Sequence, residues 1–219
     1  MGEATEISWT EATWNPWRGC HKVSAGCKNC YMFDGQLRYG QDPGQVIRAA
    51  PATFGAPLKW HEGRKVFTCP WSDWFIREAD PWRGEAWDII RATPQHTYQV
   101  LTKRPERIAE CLPADWGAGW PNVWLGVSAE DQKAAELRLP LLRGIPAAVR
   151  FVSCEPVLGP MRLDLAGLAW VICGGESGAG RRPFERSWDT VKRAKEKLCV
   201  VARRDGKTGK WTWALPAKV

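Results

Sequence analysis

Three closely spaced cysteines are the clearest indication of a functional site in this sequence. Cys20, Cys27 and Cys30 form a C-x6-C-x2-C pattern within the stretch NPWRGCHKVSAGCKNCYMF. A disulfide takes thiols in pairs, so a cluster of three leaves one over. A closed structural zinc site takes four ligands, and His21 is a nearby candidate for the fourth. Thiolates also hold iron–sulfur clusters, so an iron–sulfur site and a zinc site both stay open.

A 4Fe–4S cluster held by only three thiolates has one iron without a protein ligand. That iron is suited to bind the amino and carboxylate groups of S-adenosylmethionine, whose sulfonium is cleaved by an electron from the cluster to release a 5′-deoxyadenosyl radical. We predict a helix that begins near Cys27, and a helix N-terminus stabilises thiolates and an anionic cluster. The other cysteines lie in apolar runs or predicted elements and are expected to be core residues, with a redox role also open for Cys154.

The elements that must position these residues are predicted from a repeating rhythm of apolar runs, polar loops and helical stretches. Five runs are continuously apolar, as in strands that are covered on both faces. They are KVFTCP (65–70), TYQVLTK (97–103), NVWLGVS (122–128), VRFVSCEP (149–156) and LAWVICGGE (168–176). A sixth short strand is predicted near Trp14 to Trp17. Predicted helices alternate with them, at 85–91, 104–111, 130–142 and 187–197.

This alternation predicts an α/β fold of parallel βαβ units. Six units are too few to close an eight-stranded barrel, so we expect an open, partial (β/α)6 barrel, with a doubly wound sheet as the alternative. We expect residues 1–186 to form the barrel with its cysteine loop. Residues 187–219 are expected to add a basic helix and a β-hairpin to the same domain.

Polar residues follow the predicted strands where each one ends, and the carboxyl ends of such strands meet at one edge of the sheet. We predict cofactor or substrate contacts at that edge from Asp73, Lys103, Ser128, Glu155, Gly174, Gly175 and Glu176. Lys103 is the candidate partner for the carboxylate of methionine. The Gly174-Gly175 turn allows a ligand to approach the backbone closely, and Glu176 then suits a ribose hydroxyl or an amino group.

The composition is that of an ordinary globular protein, with 44% hydrophobic and 25% charged residues. No stretch approaches the eighteen or so apolar residues that a membrane span needs. Eight scattered cysteines suggest reduced thiols. We therefore expect a soluble protein of the cytoplasm with no membrane partner.

Positive charge is concentrated near the C-terminus. Residues 181–219 contain twelve Lys/Arg and four Asp/Glu, a net +8, whereas the first 180 residues have a net charge of −1. A solvated basic tail is one explanation, and a binding surface for nucleic acid is the other. Candidate DNA contacts are Arg181, Arg182, Arg186, Lys192, Arg193, Arg203, Arg204, Lys207 and Lys210.

Five motifs in order carry a resemblance to a known family: TWNPWRGCHKVSAGCKNCY, LTKRPERI, NVWLGVSAED, FVSCEPVLGP and WVICGGESGAGRRP. They resemble the three-cysteine proteins of phages and prophages, a divergent relative of the radical S-adenosylmethionine enzymes. The resemblance runs from about Ile7 to Pro183. It implies a 4Fe–4S cluster on the three cysteines, S-adenosylmethionine as cofactor, an electron donor such as flavodoxin, and the cytoplasm of a bacterial host.

The chain departs from the usual radical-enzyme spacing of C-x3-C-x2-C with an aromatic residue before the last cysteine. Its first gap has six residues, Asn29 precedes Cys30, and Tyr31 follows it. We take Tyr31 as the candidate aromatic contact to the cofactor.

The phage setting and the basic C-terminus favour a modified, thymine-type base in DNA as the substrate, altered by isomerisation or similar tailoring. Such a base must be flipped out or single-stranded. One alternative is a repair lyase that resembles spore photoproduct lyase. The other is a nucleic-acid-binding protein without enzymatic activity, whose iron–sulfur or zinc site is structural.

Overall fold

The computed structural model describes residues 4–178 and 180–183, together with the backbone of residues 201–204 and 211–214. The predicted helix at 187–197 lies outside these residues. The strands are β1 (Ala12–Trp14), β2 (Trp17–Arg18), β3 (Ile47–Arg48), β4 (Lys65–Thr68), β5 (Thr97–Thr102), β6 (Val123–Ser128), β7 (Val149–Cys154), β8 (Trp170–Cys173), β9 (Val201–Arg204) and β10 (Trp211–Ala214). The α-helices are α1 (Tyr31–Arg38), α2 (Pro51–Phe54), α3 (Asp80–Ala92), α4 (Ile108–Cys111) and α5 (Gln132–Arg143).

The main sheet has the strand order β1-β4-β5-β6-β7-β8-β10-β9. Its first six strands are parallel, and their order follows the order of the chain. The predicted α/β class with six parallel strands is confirmed. A doubly wound sheet reverses its strand order at a switch point, and these six strands show no such reversal. No helix in the described part of the chain is long and apolar enough to span a bilayer.

The six parallel strands curve towards one another. The Trp9 ring, just before β1, lies 4.6 Å from the Phe67 ring on β4 and 5.7 Å from the Trp170 ring on β8, measured between centroids. In a flat sheet, β4 and β8 would be about 19 Å apart, since neighbouring strands lie about 4.8 Å apart. One indole reaches both strands only because the sheet bends around it.

The strands are continuously apolar because packing covers both of their faces. Val66, Val100 and Val127 are fully buried. On the concave face, an ideal Cβ at Gly126 would lie 2.4 Å from the Phe151 ring, so glycine makes room for that ring. The residue types of the central strands therefore follow directly from the packing.

Tryptophans fill the space between the sheet and the segments that follow β1 and β4. Trp74 lies 5.8 Å from Trp14 and 5.0 Å from Trp87, and Trp87 lies 5.7 Å from both Trp116 and Trp120. Tilted and edge-on ring pairs at these distances add stability beyond the burial of their area. These tryptophans therefore serve packing.

Several predicted boundaries were wrong, and the one in the cysteine loop matters most. The predicted helix near Cys27 begins only at Tyr31, with Cys30 as its N-cap. Residues Ala25–Cys27 form a single 3-10 turn instead. The extended backbone of Cys30, with φ −65° and ψ 123°, separates this turn from α1. Elsewhere, β1 ends at Trp14, and the predicted helix at 85–91 begins at Asp80 because Pro81 suits a first helical turn.

Two further strands, β9 and β10, lie in the segment for which the sequence predicts a β-hairpin. β9 and β10 pair in antiparallel fashion, with Arg204 opposite Trp211 and Val201 opposite Ala214. β10 also pairs with β8, where Ala214 lies opposite Trp170. The hairpin strands therefore extend the main sheet beyond β8.

Candidate functional site

A cleft of about 1720 Å³ opens at the carboxyl ends of the parallel strands. The structure brings most of the predicted site residues to its wall. They are Cys20, Cys27, Cys30, Tyr31, Asp73, Lys103, Ser128, Glu155, Gly174, Gly175 and Glu176. Residues that follow the parallel strands therefore lie together with the cysteine loop around one cleft.

The cysteine loop is held to the rim of the cleft by its backbone. The Gly19 N–H donates to the Trp71 carbonyl at 3.1 Å, and the Cys20 N–H donates to the Pro43 carbonyl at 2.9 Å. Gly19 has φ +94°, and an ideal Cβ there would lie 2.2 Å from the Gln45 carbonyl oxygen. Only glycine suits this position, directly before the first cysteine.

Cys27 lies within electrostatic range of both Cys20 and Cys30, and none of the three thiols is in a disulfide. The pKa of the Cys20 thiol is raised to about 11, chiefly by burial and also by the charge of Asp73, against an opposing effect from Arg104. Burial also raises the pKa of the Cys30 thiol. The charge of Cys27 adds to the increase at both. Without a metal, the thiols of Cys20 and Cys30 hold their protons at neutral pH, so metal binding there releases protons.

The donor set of the cysteine loop consists of three thiols that line the cleft. Within the described ranges, no three Cys, His, Asp or Glu side chains are placed to hold one ion. His21, the candidate fourth zinc ligand, points to Glu78, with 2.8 Å between Nε2 and Oε1. In a 4Fe–4S cluster each thiolate ligates a different iron, so the three sulfurs need not converge on one point. The three thiols that line the cleft match the number of ligands that such a cluster would take from the protein.

Asp73 organises the segment that follows β5. Its Oδ1 accepts hydrogen bonds from the Phe75 N–H at 3.0 Å and the Thr102 hydroxyl at 2.7 Å. Its Oδ2 accepts from the Lys103 N–H at 2.9 Å and lies 3.1 Å from Arg104 Nη1. A carboxylate has about four acceptor sites, and the protein uses all of them here. Asp73 therefore lines the cleft while its oxygens are engaged by groups of the protein, among them Lys103 and Arg104.

A row of polar side chains crosses the floor of the cleft from β5 to β7. Lys103 Nζ lies 3.3 Å from the Ser128 hydroxyl. Ser128 is the register partner of Ser153, whose hydroxyl lies 3.5 Å from Glu155 Oε2. An ideal Cβ at Gly174 would lie 2.4 Å from Glu155 Oε1, so a side chain at position 174 would clash with this carboxylate. The row has a cation at one end and a carboxylate at the other, separated by hydroxyls.

Glu176 holds the cysteine loop against the segment that follows β8. Its Oε2 accepts from Asn29 Nδ2 at 3.2 Å, from the Arg182 N–H at 2.7 Å and from Arg182 Nε at 2.9 Å. Arg182 Nη2 also pairs with Glu176 Oε1 and donates to the Ala25 carbonyl at 3.2 Å. The hydrogen bonds from Arg182 lower the pKa of Glu176 to about 2. Glu176, predicted as a ligand contact, is thus engaged within the protein.

Glu130 supports the cysteine loop from below. It is fully buried, and its Oε2 lies 2.8 Å from Arg138 Nη1 on α5. An ideal Cβ at Gly26 would lie 3.0 Å from the Glu130 side chain, so the loop rests directly on it. Burial raises the pKa of Glu130, but the Ser24 hydroxyl and Arg138 outweigh burial and lower the pKa overall. A charged pair is therefore kept beneath the cysteines.

Tyr31, the candidate aromatic contact, lies at the mouth of the cleft. Its hydroxyl donates to the Pro70 carbonyl at 2.9 Å, and 37% of the residue is exposed. This hydrogen bond connects the start of α1 with the segment that follows β4. A partly exposed ring at the mouth is available for a flat ligand.

The predicted DNA contacts are described only in part. Arg181 is exposed, whereas Arg182 is engaged by Glu176 and the Ala25 carbonyl. Arg203 and Arg204 lie on β9, where only the backbone is described. Arg186, Lys192, Arg193, Lys207 and Lys210 lie outside the described residues.

Sequence reasoning missed Arg104 and Asn29. Arg104 contacts Cys20 across 84 residues of sequence, and Asn29 contacts Glu176 across 147. Each stands beside a predicted residue, Arg104 next to Lys103 and Asn29 next to Cys30. Their position beside a strand end or a cysteine was the available signal, but no spacing rule indicates such distant partners.

The fold and site define an α/β protein with a mostly parallel sheet and a cysteine-lined cleft at the carboxyl edge of its strands. Residues 4–212 match the family described as "Protein of unknown function (DUF5131)". The chain belongs to this family. Neither the curated proteins nor the solved structures include a match to the chain.

Proposed function

We propose that the chain is a radical S-adenosylmethionine enzyme whose 4Fe–4S cluster is held by Cys20, Cys27 and Cys30. The observation that carries this proposal is the placement of three thiols, none of them in a disulfide, on the rim of a cleft at the carboxyl edge of a parallel sheet. When bound, the cluster supplies the electron that cleaves the sulfonium of S-adenosylmethionine. The open coordination that this chemistry needs follows from the number of protein thiolates.

The curvature of the sheet supports the fold type that this chemistry uses. Trp9 contacts rings on both β4 and β8, and the six parallel strands keep their chain order. We propose that these strands form a partial (β/α)6 barrel. The aromatic side chains pack on its concave side, which leaves the carboxyl edge as the entrance to the cleft.

The polar row on the cleft floor suits the amino-acid part of S-adenosylmethionine. We assign the carboxylate to Lys103. Lys103 also lies close enough to Cys30 for its charge to offset part of the rise in pKa that burial causes at that thiol. The amino group is assigned to Glu155, at the opposite end of the row. Ser128 holds the Lys103 ammonium in the row, and Tyr31 is placed to contact the adenine at the mouth.

For the substrate, we propose a modified base in DNA, with isomerisation or a similar tailoring step as the reaction. The concentration of positive charge in residues 181–219 supports a polyanionic partner. β9 carries Arg203 and Arg204 directly beside β10, which joins the edge of the sheet at β8. An electron donor such as flavodoxin completes the proposed set of partners.

The DNA assignment is tested by binding across a salt series. With about four to six phosphate contacts, the log–log slope of the binding constant should be on the order of −4 to −5. Reversing the charges of Arg203, Arg204 and Lys207 should weaken binding and flatten that slope. If the wild type responds only weakly to salt, or if the two proteins behave alike, the substrate is a small molecule instead.

The cluster assignment is tested by anaerobic reconstitution with iron and sulfide. The wild type should become brown and retain iron, and Cys27→Ala should lose it because each cysteine supplies one of only three protein ligands. Cys111→Ala is the matched control, since Cys111 lies on α4 outside the cleft. Zinc in a colourless wild-type protein would contradict the assignment and leave a structural metal site.

A further inference from the structure

Arg104 is a charged residue in the cleft to which the proposed function gives no role so far. It is only 8% exposed, and it stands between Asp73 and the cysteine loop. Its Nη1 lies 3.1 Å from Asp73 Oδ2 and 3.8 Å from the sulfur of Cys20. Its Nη2 donates to the carbonyl of His21 at 2.9 Å. One guanidinium therefore contacts the first cysteine both at its sulfur and through the backbone that follows it.

The surroundings fix this guanidinium in place. The Arg104 N–H donates to the Thr102 hydroxyl at 2.8 Å, and that hydroxyl donates in turn to Asp73 Oδ1 at 2.7 Å. Asp73 thus anchors the residue at its backbone and at its head group. The planar fork of arginine makes such simultaneous contacts, which the single ammonium of lysine cannot reproduce.

We propose that Arg104 is a positioning residue that holds the Cys20 sulfur and raises the reduction potential of the cluster bound there. This inference rests on the proposed function, because it needs a cluster on Cys20. A charged donor at a thiolate sulfur stabilises the additional negative charge that reduction by one electron places on the site. Hydrogen bonds to the ligating sulfurs are one of the factors that set the potential of iron–sulfur clusters.

Arg107 provides a matched control on the same segment of chain. Its Nη2 lies 3.5 Å from the sulfur of Cys111, so it makes the same kind of contact to a cysteine outside the cleft. It also pairs with Asp80, with 2.9 Å between Nη2 and Oδ2. A substitution at Arg107 therefore removes a neighbouring arginine–cysteine contact without touching Cys20.

The test is a reductive titration with dithionite of the reconstituted wild type, Arg104→Gln, Arg104→Lys and Arg107→Gln. Arg104→Gln should shift the equilibrium towards the oxidised form by at least tenfold, or about 59 mV for one electron. Arg104→Lys should shift it in the same direction by less, because the charge remains. Arg107→Gln should titrate like the wild type. Release of iron to a chelator should be faster in both Arg104 variants.

The outcomes separate the two proposals. A wild type that holds no cluster overturns the proposed function and this inference with it. A wild type that holds its cluster, with unchanged potentials in the Arg104 variants, overturns the inference alone. If Arg104→Gln does not fold, the reduction potential of Arg104→Lys is measured instead. A potential equal to that of the wild type would then overturn the inference. An equal shift in Arg107→Gln would also contradict a specific role for Arg104.

Discussion

Replacing Asp73 by asparagine should destabilise the protein strongly, although the two side chains have nearly the same shape. Asp73 is 5% exposed and accepts from four donors, one of them the guanidinium of Arg104. An asparagine at position 73 leaves the buried Arg104 without its counter-charge. It also turns an amide NH₂ towards groups that themselves donate.

The expected magnitude follows from the burial of the pair. Removing one partner of a buried ion pair costs about 3–5 kcal/mol, because the remaining charge stays away from water. For a domain of this size, such a loss corresponds to a fall in Tm of about 6–20 °C. The double variant Asp73→Asn/Arg104→Gln should be less destabilised than the sum of the single variants, because it leaves neither charge uncompensated.

The assay is urea unfolding followed by circular dichroism, together with thermal unfolding. Glu85→Gln is the matched control, because Glu85 pairs with Arg48 at 2.6 Å while its side chain is 59% exposed. Exposed pairs contribute only about 0–1 kcal/mol, so this variant should be close to the wild type. If Asp73→Asn lowers the free energy of unfolding by no more than Glu85→Gln does, Asp73 does not stabilise the segment that follows β5 as inferred.

Two further predictions concern packing and pH. Gly126→Ala should cost about 1–3 kcal/mol in urea unfolding, because its Cβ would overlap the Phe151 ring. Gly84→Ala on α3 should instead stabilise the protein by about 0.5–1 kcal/mol, since nothing lies within 4 Å of an ideal Cβ there. A similar loss of stability in Gly126→Ala and Gly84→Ala would contradict the close packing of Gly126 against Phe151. Glu176 has a pKa lowered from its ordinary value of 4.5 to about 2, so its stabilising effect is present above pH 4.5 and is lost as the pH falls towards 2. Glu176→Gln should therefore speed hydrogen exchange in the cysteine loop at pH 7, and the difference from the wild type should shrink below pH 4.5. A difference that does not depend on pH would rule out the carboxylate as its cause.

The parallel sheet could be predicted because its strands are continuously apolar and separated by helical stretches. The runs around Val66, Val100, Leu125 and Val152 contain residues that are fully buried, as a strand covered on both faces requires. The convergence of Lys103 and the other strand-end residues followed from the same topology. The strand ends and the cysteines were enough to locate the cleft.

The start of α1 and the connections around the cysteines could not be predicted. The sequence predicts a helix from near Cys27, but a 3-10 turn at Ala25–Cys27 and the extended backbone of Cys30 precede α1, which begins at Tyr31. The roles of Asp73 and Glu176 depend on donors that only the folded chain brings to them. A sequence indicates that a carboxylate lies at a strand end, but its partner, whether a ligand or a protein group, is decided by tertiary contacts.

The most direct test of the proposed function is the cleavage of S-adenosylmethionine by the reconstituted protein. Anaerobic protein with S-adenosylmethionine and dithionite should yield 5′-deoxyadenosine and methionine, detected by liquid chromatography and mass spectrometry. The Cys27→Ala variant should yield neither product, and Cys111→Ala should behave like the wild type. A wild-type protein that retains a full 4Fe–4S cluster but releases no 5′-deoxyadenosine above the level of Cys27→Ala would contradict the proposed function.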